Sequence, residues 1–199
     1  MADLEKTGKN LEGRGFHAHV FATGAEAAEF LVQTLHGTSI GIGGSVTVDT
    51  LGVYDRLCES NEVFWHWKNH APETRERAGK AETYLCSANG VSENGEIVNI
   101  DGFGNRVTGT IYGPERVFLV VGRNKIAPDL NGAIDRARNI AAPLNARRLN
   151  RHTPCAVGEP RCHDCRSPEK ICGVMTVFFM PPTSIKEFHV ILVNEDLGY

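Results

Sequence analysis

This chain of 199 residues is short of several things, and each shortage excludes something. No apolar run approaches the roughly 20 residues a bilayer-spanning helix needs. The opening MADLEKTGKNLEGRG has no apolar centre of the kind a secretion signal carries. Positive charge is not in excess either: 21 Lys and Arg stand against 24 Asp and Glu, a formal charge of −3. Coating a nucleic-acid backbone takes a concentrated basic face, so nucleic acid is not the expected partner. Neither a Walker loop nor a full G-x-G-x-x-G fingerprint occurs, and the eight histidines form no helical His-x-x-x-His pair. There is no internal repeat and no low-complexity tract.

What is present is an ordinary globular composition, 41% hydrophobic and 23% charged. It is enough for one well-buried core, and a single domain over 1–199 is expected. A cytoplasmic location follows from the missing leader and span, and there the six cysteines stay reduced. The homo-oligomeric state is left open.

The pattern alternates strands with helices. Strands are expected at Phe16–Phe21, Ser39–Ile42, Glu62–Trp67, Thr83–Ser87, Glu96–Ile100, Arg116–Val121, Val174–Met180 and Phe188–Val193. Thr23-Gly-Ala-Glu26 has the form of a capping box before a helix with Ala27, Phe30, Leu31 and Leu35 on one face. A helix carrying Val48, Leu51, Val53, Tyr54 and Leu57 follows Gly43-Gly44-Ser45, and a charged helix spans Glu73–Lys80. Asn94-Gly95 suggests a type I′ hairpin, Val107–Tyr112 fits helix or strand, and Pro143 should end or restart the amphipathic helix Pro128–Ala141. Together these predict an α/β fold with an open, mostly parallel sheet and helices on both faces.

Three constellations carry chemistry. In Ile40–Asp49, IGIGGSVTVD, a buried strand meets a helix through glycines and hydroxyls. Gly43, Gly44, Ser45 and Thr47 suit the backbone to an anion, and the plainer alternative makes Ser45 or Thr47 an N-cap. In the stretch Tyr84–Arg106, Gly102 and Gly104 permit a turn that aims Asn105 and Arg106 toward the Gly43–Ser45 loop, with Asn89 nearby. There Arg106 offers a clamp for a carboxylate or phosphate. Asn124 and Lys125, just after the central strand, sit where a parallel sheet places its ligand. Candidate catalytic carboxylates are Glu93, Asp49 and Asp101; Ser92-Glu93-Asn94-Gly95 is similar to the glutamate motif of class I coenzyme A transferases, though Glu93 reads as a solvated turn residue. His66 and His189 read as core or interface histidines.

The third constellation is Cys155-x6-Cys162-x2-Cys165-x6-Cys172, within an insertion at about 151–173. Four thiols in so short a segment, two of them in a Cys-x-x-Cys knuckle, are expected to wrap one metal centre, and Arg151, Arg161, Arg166 and Lys170 favour thiolates. Zinc ribbons pair two such knuckles. With only one present, the pattern tilts toward an iron–sulfur cluster, [4Fe-4S], with zinc as the alternative. Cys58 and Cys86 read as buried small hydrophobes.

GIGGSVTVD, SANGVSENGEIVNIDGFGNR, GPERVFLVVGRNKI, AAPLNARRLN, CHDCRSPEKIC and HVILVNEDLGY together resemble the LUD (lactate utilisation) domain family from Gly41 to Tyr199. The resemblance implies the fold of the glucosamine-phosphate and ribose-phosphate isomerases and coenzyme A transferases. By that analogy IGIGGSVT occupies the place of the isomerases' phosphate loop. Asn89 stands where those isomerases carry a catalytic Asp, and an amide cannot act as general base. The glycine turn and the Asn/Arg-rich loops make a small anionic metabolite the expected ligand, and the family's association with lactate oxidation implies other lactate-oxidation subunits as partners. The alternatives are an enzyme of coenzyme A transferase or sugar-phosphate isomerase type, and a non-catalytic sensor or interaction domain.

Overall fold

The computed structural model of the protein describes residues 3–199. In chain order it comprises α1 (Leu4–Gly13), β1 (His17–Phe21), α2 (Gly24–Thr34), β2 (Ser39–Ile42), α3 (Val46–Thr50), α4 (Tyr54–Cys58), β3 (Glu62–Trp65) and α5 (Thr74–Gly79). There follow β4 (Thr83–Cys86), β5 (Gly90–Ser92), β6 (Ile97–Asp101), α6 (Asn105–Ile111), β7 (Arg116–Gly122) and β8 (Ile126–Ala127). The chain closes with α7 (Leu130–Arg136), α8 (Ala142–Arg148), α9 (Pro154–Val157), β9 (Val174–Phe178) and β10 (Glu187–Val193).

Six strands form an all-parallel sheet in the order β1-β10-β7-β4-β2-β3. Its central strands are apolar along their length because both faces are covered. On one face Val117, Leu119, Val121, Val190 and Leu192 pack with Leu4 and Leu11 of α1 and with Val91, Ile97 and Phe178. On the other, Phe118, Val120, Ile191 and Val193 pack under Ala27, Leu31 and Leu35 of α2 and Val48, Val53 and Leu57. The expected open parallel α/β sheet is therefore present.

Four short strands form a second sheet, β8-β5-β6-β9, in which β6 runs antiparallel to both neighbours. Sequence pattern does not separate it from the main sheet, because β5 and β8 are too short to show a period. The β5–β6 hairpin is also not the expected type I′ turn. Gly95 takes a φ of +89° but Asn94 does not share the left-handed region, so the loop is a turn closed by Gly95 N–H to Ser92 O (2.9 Å).

One helix departs from expectation: the segment carrying Val48 to Leu57 is divided into α3 and α4. Pro143 restarts its helix as expected, standing in the first turn of α8 after a π-helical turn, Ala137–Ala141, that joins it to α7 just where proline removes an N–H. The Thr23–Glu26 capping box is present with both of its hydrogen bonds, and Val107–Tyr112 falls in α6.

Candidate functional site

A small chamber of about 50 Å³ lies beyond the carboxyl ends of β2, β4 and β7, lined by Gly44, Ser45, Thr47, Ser87, Ala88, Asn89, Arg106 and Lys125, with Trp67, Asn145, Arg148 and Tyr199 at its sides. That is the end of a parallel sheet where ligands bind, since strand-to-helix turns there expose backbone and short side chains. Of the nine residues expected to bind ligand, six meet in this chamber: Gly44, Ser45, Thr47, Asn89, Arg106 and Lys125. Among the described residues no Asp or Glu side chain lines it.

Lys125 is the most deeply placed cation, 3% exposed. Its ammonium donates to Thr47 Oγ1 (2.7 Å), Ser87 Oγ (2.8 Å) and the Ala88 carbonyl (3.3 Å). Burial, then the neighbouring Arg136 and Arg106 guanidinium groups, bring its pKa down to about 7. Cys86 supplies no countercharge at neutral pH, because burial pushes its thiol up to about 12. Ser45 Oγ caps α3 by accepting from Val48 N–H (3.2 Å), so the plainer expectation for Ser45 holds while it also lines the chamber.

Arg106 reaches the chamber because α6 starts directly after the turn at 102–104. Asp101 organises that turn, accepting from the N–H groups of Phe103 (3.1 Å), Arg106 (3.0 Å) and Val107 (3.3 Å). The Arg106 guanidinium donates to Asn89 Oδ1 (3.1 Å) and to the Ile100 carbonyl. Gly43 is where the two loops touch: a Cβ there would lie 2.9 Å from Arg106 Cγ and from the Tyr84 hydroxyl. Asn105 contributes its carbonyl to the Tyr84 hydroxyl (3.0 Å) and lines a wider chamber.

That wider chamber, about 760 Å³, opens outward from the small one and shares Gly44, Trp67, Asn89, Arg106, Asn145 and Arg148 with it. Its rim is cationic and aromatic. Arg148 lies over the Trp67 ring (4.8 Å) and Arg75 over Phe103 (4.9 Å). His66, expected inside a strand, lies just past the end of β3 and lines this chamber, its pKa lowered by burial and by Arg75.

The remaining expected residues sit elsewhere. Asn124 is structural, accepting from Leu197 N–H (3.1 Å) and donating to the Gly198 carbonyl (3.3 Å), which holds the C-terminal segment against the chamber. Asp49 pairs with Lys68 (3.0 Å) beside a separate cavity. The Glu93 carboxylate receives Lys6 (3.0 Å) and the Asp3 N–H (3.3 Å) and lines neither chamber. Asp101 lines the wide chamber. Sequence reasoning missed Ser87, Arg136 and the Trp67–Arg148 pair. Ser87 had a usable signal, as the first residue past β4 at the ligand end of the sheet. Arg136, which donates to the Asn124 carbonyl (2.7 Å) and the Asn89 carbonyl from within α7, had none.

Cys155, Cys162, Cys165 and Cys172 line one cavity of about 200 Å³ with Arg138, Lys170 and Met175. Among the described residues no three His, Cys, Asp or Glu groups are arranged to hold a metal ion. Hydrogen-bond donors nevertheless face the sulfurs: Arg138 Nη2 and the Asp164 N–H each donate to Cys162 Sγ (3.4 Å). Burial first, and then the three other thiols, raise the Cys172 pKa, while Lys170 opposes them. Cys86 is buried as expected; Cys58 is exposed, contrary to its apolar helical pattern, because the short α4 buries only Leu57.

The fold places this chain among α/β proteins of known structure. A crystal structure of a DUF162 family protein from Deinococcus radiodurans matches with a TM-score of 0.55 at 13% identity, covering 96% of this chain and 95% of that one. At that identity the likeness concerns the fold. A search among curated proteins finds no match. The model of the LUD domain family matches residues 4–193, nearly the whole chain, so the protein belongs to the LUD domain family. Among the described residues no helix is long and apolar enough to cross a membrane.

Proposed function

We propose that this LUD domain protein binds a small anionic metabolite in the chamber between the Gly43–Thr47 loop and Asn89–Arg106, and that its four cysteines carry a metal centre beside it, in the service of lactate oxidation with other subunits of that process. The observation that carries the first half is the charge balance: Arg106, Lys125 and Arg148 line a chamber with no acidic side chain. Lys125 is buried with no carboxylate in contact and Arg106 has only Asp101, at 3.9 Å, and burying a cation so weakly paired is a cost to the fold that an anion in the chamber offsets.

The second half is supported by four thiols around one cavity, with donors aimed at sulfur as thiolate-held centres use them. A single tetrahedral zinc draws its sulfurs to about 2.3 Å from one point. The single Cys-x-x-Cys knuckle, where zinc ribbons pair two, is what favours an iron–sulfur group over zinc in this reading. Such a group supplies electron transfer when bound. Ile100, Ala142 and Lys170 line both the thiol cavity and the wide chamber, so a group held by the thiols would lie one side-chain layer from that chamber.

Anaerobic purification followed by metal analysis and visible absorption tests the centre: iron and sulfide with a broad visible band are expected. Stoichiometric zinc replaces the cluster with a structural site. A thermal-shift panel of lactate, pyruvate, phosphosugars and acyl-coenzyme A tests the chamber, with stabilisation by a small carboxylate expected and its loss in Arg106→Ala as the control.

A further inference from the structure

We propose that Lys125 is a carbonyl-reactive amine, forming an imine with a small 2-oxo acid seated in the inner chamber. This rests on the anion-binding reading above and adds the substrate class and a covalent step. The geometry is that of a lysine presented to a cavity without an acid partner. Lys125 stands just past the end of β7, and its three hydrogen-bond contacts are two hydroxyls and one carbonyl. A buried lysine kept for structure alone is ordinarily paired with a carboxylate, which holds it as ammonium. Here the charged groups acting on Lys125 are Arg136 and Arg106, together with a Cys86 thiol that stays protonated, so no carboxylate is in contact to hold it charged. Lowering an amine's pKa by desolvation and neighbouring cations is a recognised way to activate it toward carbonyls.

The chamber selects the substrate by size and by what lines it. At about 50 Å³ it has room for a few heavy atoms. Arg106 and Arg148 serve a carboxylate, and Lys125 faces a group beside it. A carbonyl adjacent to a carboxylate meets both demands, and any longer substituent extends into the wide chamber.

The step balances without oxidant or reductant. The lone pair on Nζ adds to the carbonyl carbon as the C=O π pair moves to oxygen. The proton lost from nitrogen passes to that oxygen, and a second proton lets it leave as water, giving the C=N bond; water reverses the sequence. Thr47 Oγ1 and Ser87 Oγ are at hand as proton carriers, each touching Nζ and each within 3.2 Å of a carbonyl, Leu197 O and Ala88 O respectively.

The test is reductive trapping of the intact protein with glyoxylate, pyruvate and 2-oxobutyrate and cyanoborohydride at neutral pH, read by intact mass and peptide mapping. Binding is followed separately by tryptophan fluorescence, since Trp67 lines both chambers. An amine with a pKa near 7 is about half neutral at pH 7, against roughly one in 2,500 for an ordinary surface lysine. One adduct per chain on the Lys125 peptide is therefore expected, forming at least about tenfold faster than on any other lysine. Lactate, which has the carboxylate but no carbonyl, is expected to change the fluorescence and leave no adduct. Saturable fluorescence change with all three oxo acids but no Lys125 adduct overturns the imine and leaves the anion site standing. If neither fluorescence nor mass changes, the anion-binding reading falls with it. Mapping is done on the wild-type chain, so the outcome does not depend on whether Lys125→Met folds.

Discussion

The inner chamber and the cysteine cavity each adjoin the wide chamber and are built in opposite ways. Chamber residues hang from the ends of a rigid parallel sheet, and their polar groups are tied to one another: Lys125 to Thr47 and Ser87, Arg106 to Asn89, Asn89 to the Ile100 N–H (2.9 Å). The cysteine segment has a single four-residue helix, α9, before long irregular chain, and all four thiols are partly exposed. It is fixed by side chains reaching in from outside, such as Asn139 Oδ1 accepting from the Cys162 N–H (2.8 Å) and Arg147 donating to the Ala156 carbonyl (3.0 Å). A site with its own hydrogen-bond network is organised before its ligand arrives. A site made of thiols on irregular backbone draws its final order from the group it holds.

The sharpest way to break that contrast is at the thiols. Cys162→Ser is expected to abolish bound metal, measured by anaerobic metal analysis, and to lower the melting temperature of the loaded protein to that of the metal-free chain. Retention of full metal content would remove Cys162 from the centre.

Lys125 gives the next largest effect, through pH. Its folded pKa is about 7 against an ordinary 10.5, so the unfolded chain binds more protons between these values. The cost of burying this lysine is therefore fully present below pH 7 and is relieved as pH rises toward 10.5, by at most about 5 kcal/mol. Urea melts should show the wild type gaining stability on Lys125→Met across that window; parallel curves would mean that the lysine stays charged in the fold.

Arg106→Ala should weaken small-carboxylate binding by about 10- to 100-fold, as loss of a charge-assisted contact does, with little change in metal content. Calorimetry with each ligand checks this. Gly43→Ala should weaken binding in the same direction by displacing Arg106. The smallest effect is expected from Glu93→Gln, which alters the contact with Lys6 on the far side of the hairpin and should leave ligand binding unchanged by the same calorimetry.

Much of this was legible beforehand. Apolar runs at Arg116–Val121 and Ser39–Ile42 mark central strands because only two-sided burial tolerates them, and the residues just past those strands were correctly gathered at one sheet end. Arg106 was legible because the glycines at 102 and 104 permit a turn back toward the Gly43–Ser45 loop. Illegible were contacts between segments far apart in the chain. Arg136 reaches the Asn89 carbonyl across 47 positions, and Trp67 meets Arg148 across 81, and neither carries a local pattern. Glu93 misleads for the same reason, since its partner Lys6 lies 87 positions away.

The sequence by itself determined most elements of the main sheet and its covering helices, the sheet's parallel character and the residue types that gather at its ligand end, because hydrophobic period, glycine turns and caps act over a few residues. Tertiary structure alone decided that the chamber has no acidic side chain, that Lys125 lies among hydroxyls and guanidinium groups, and that the thiol cavity shares Ile100, Ala142 and Lys170 with the wide chamber. Charge and desolvation depend on everything within several ångströms, whatever its distance along the chain. That is why the four cysteines stand out in the sequence by their spacing, whereas the setting of Lys125 emerged only from its surroundings.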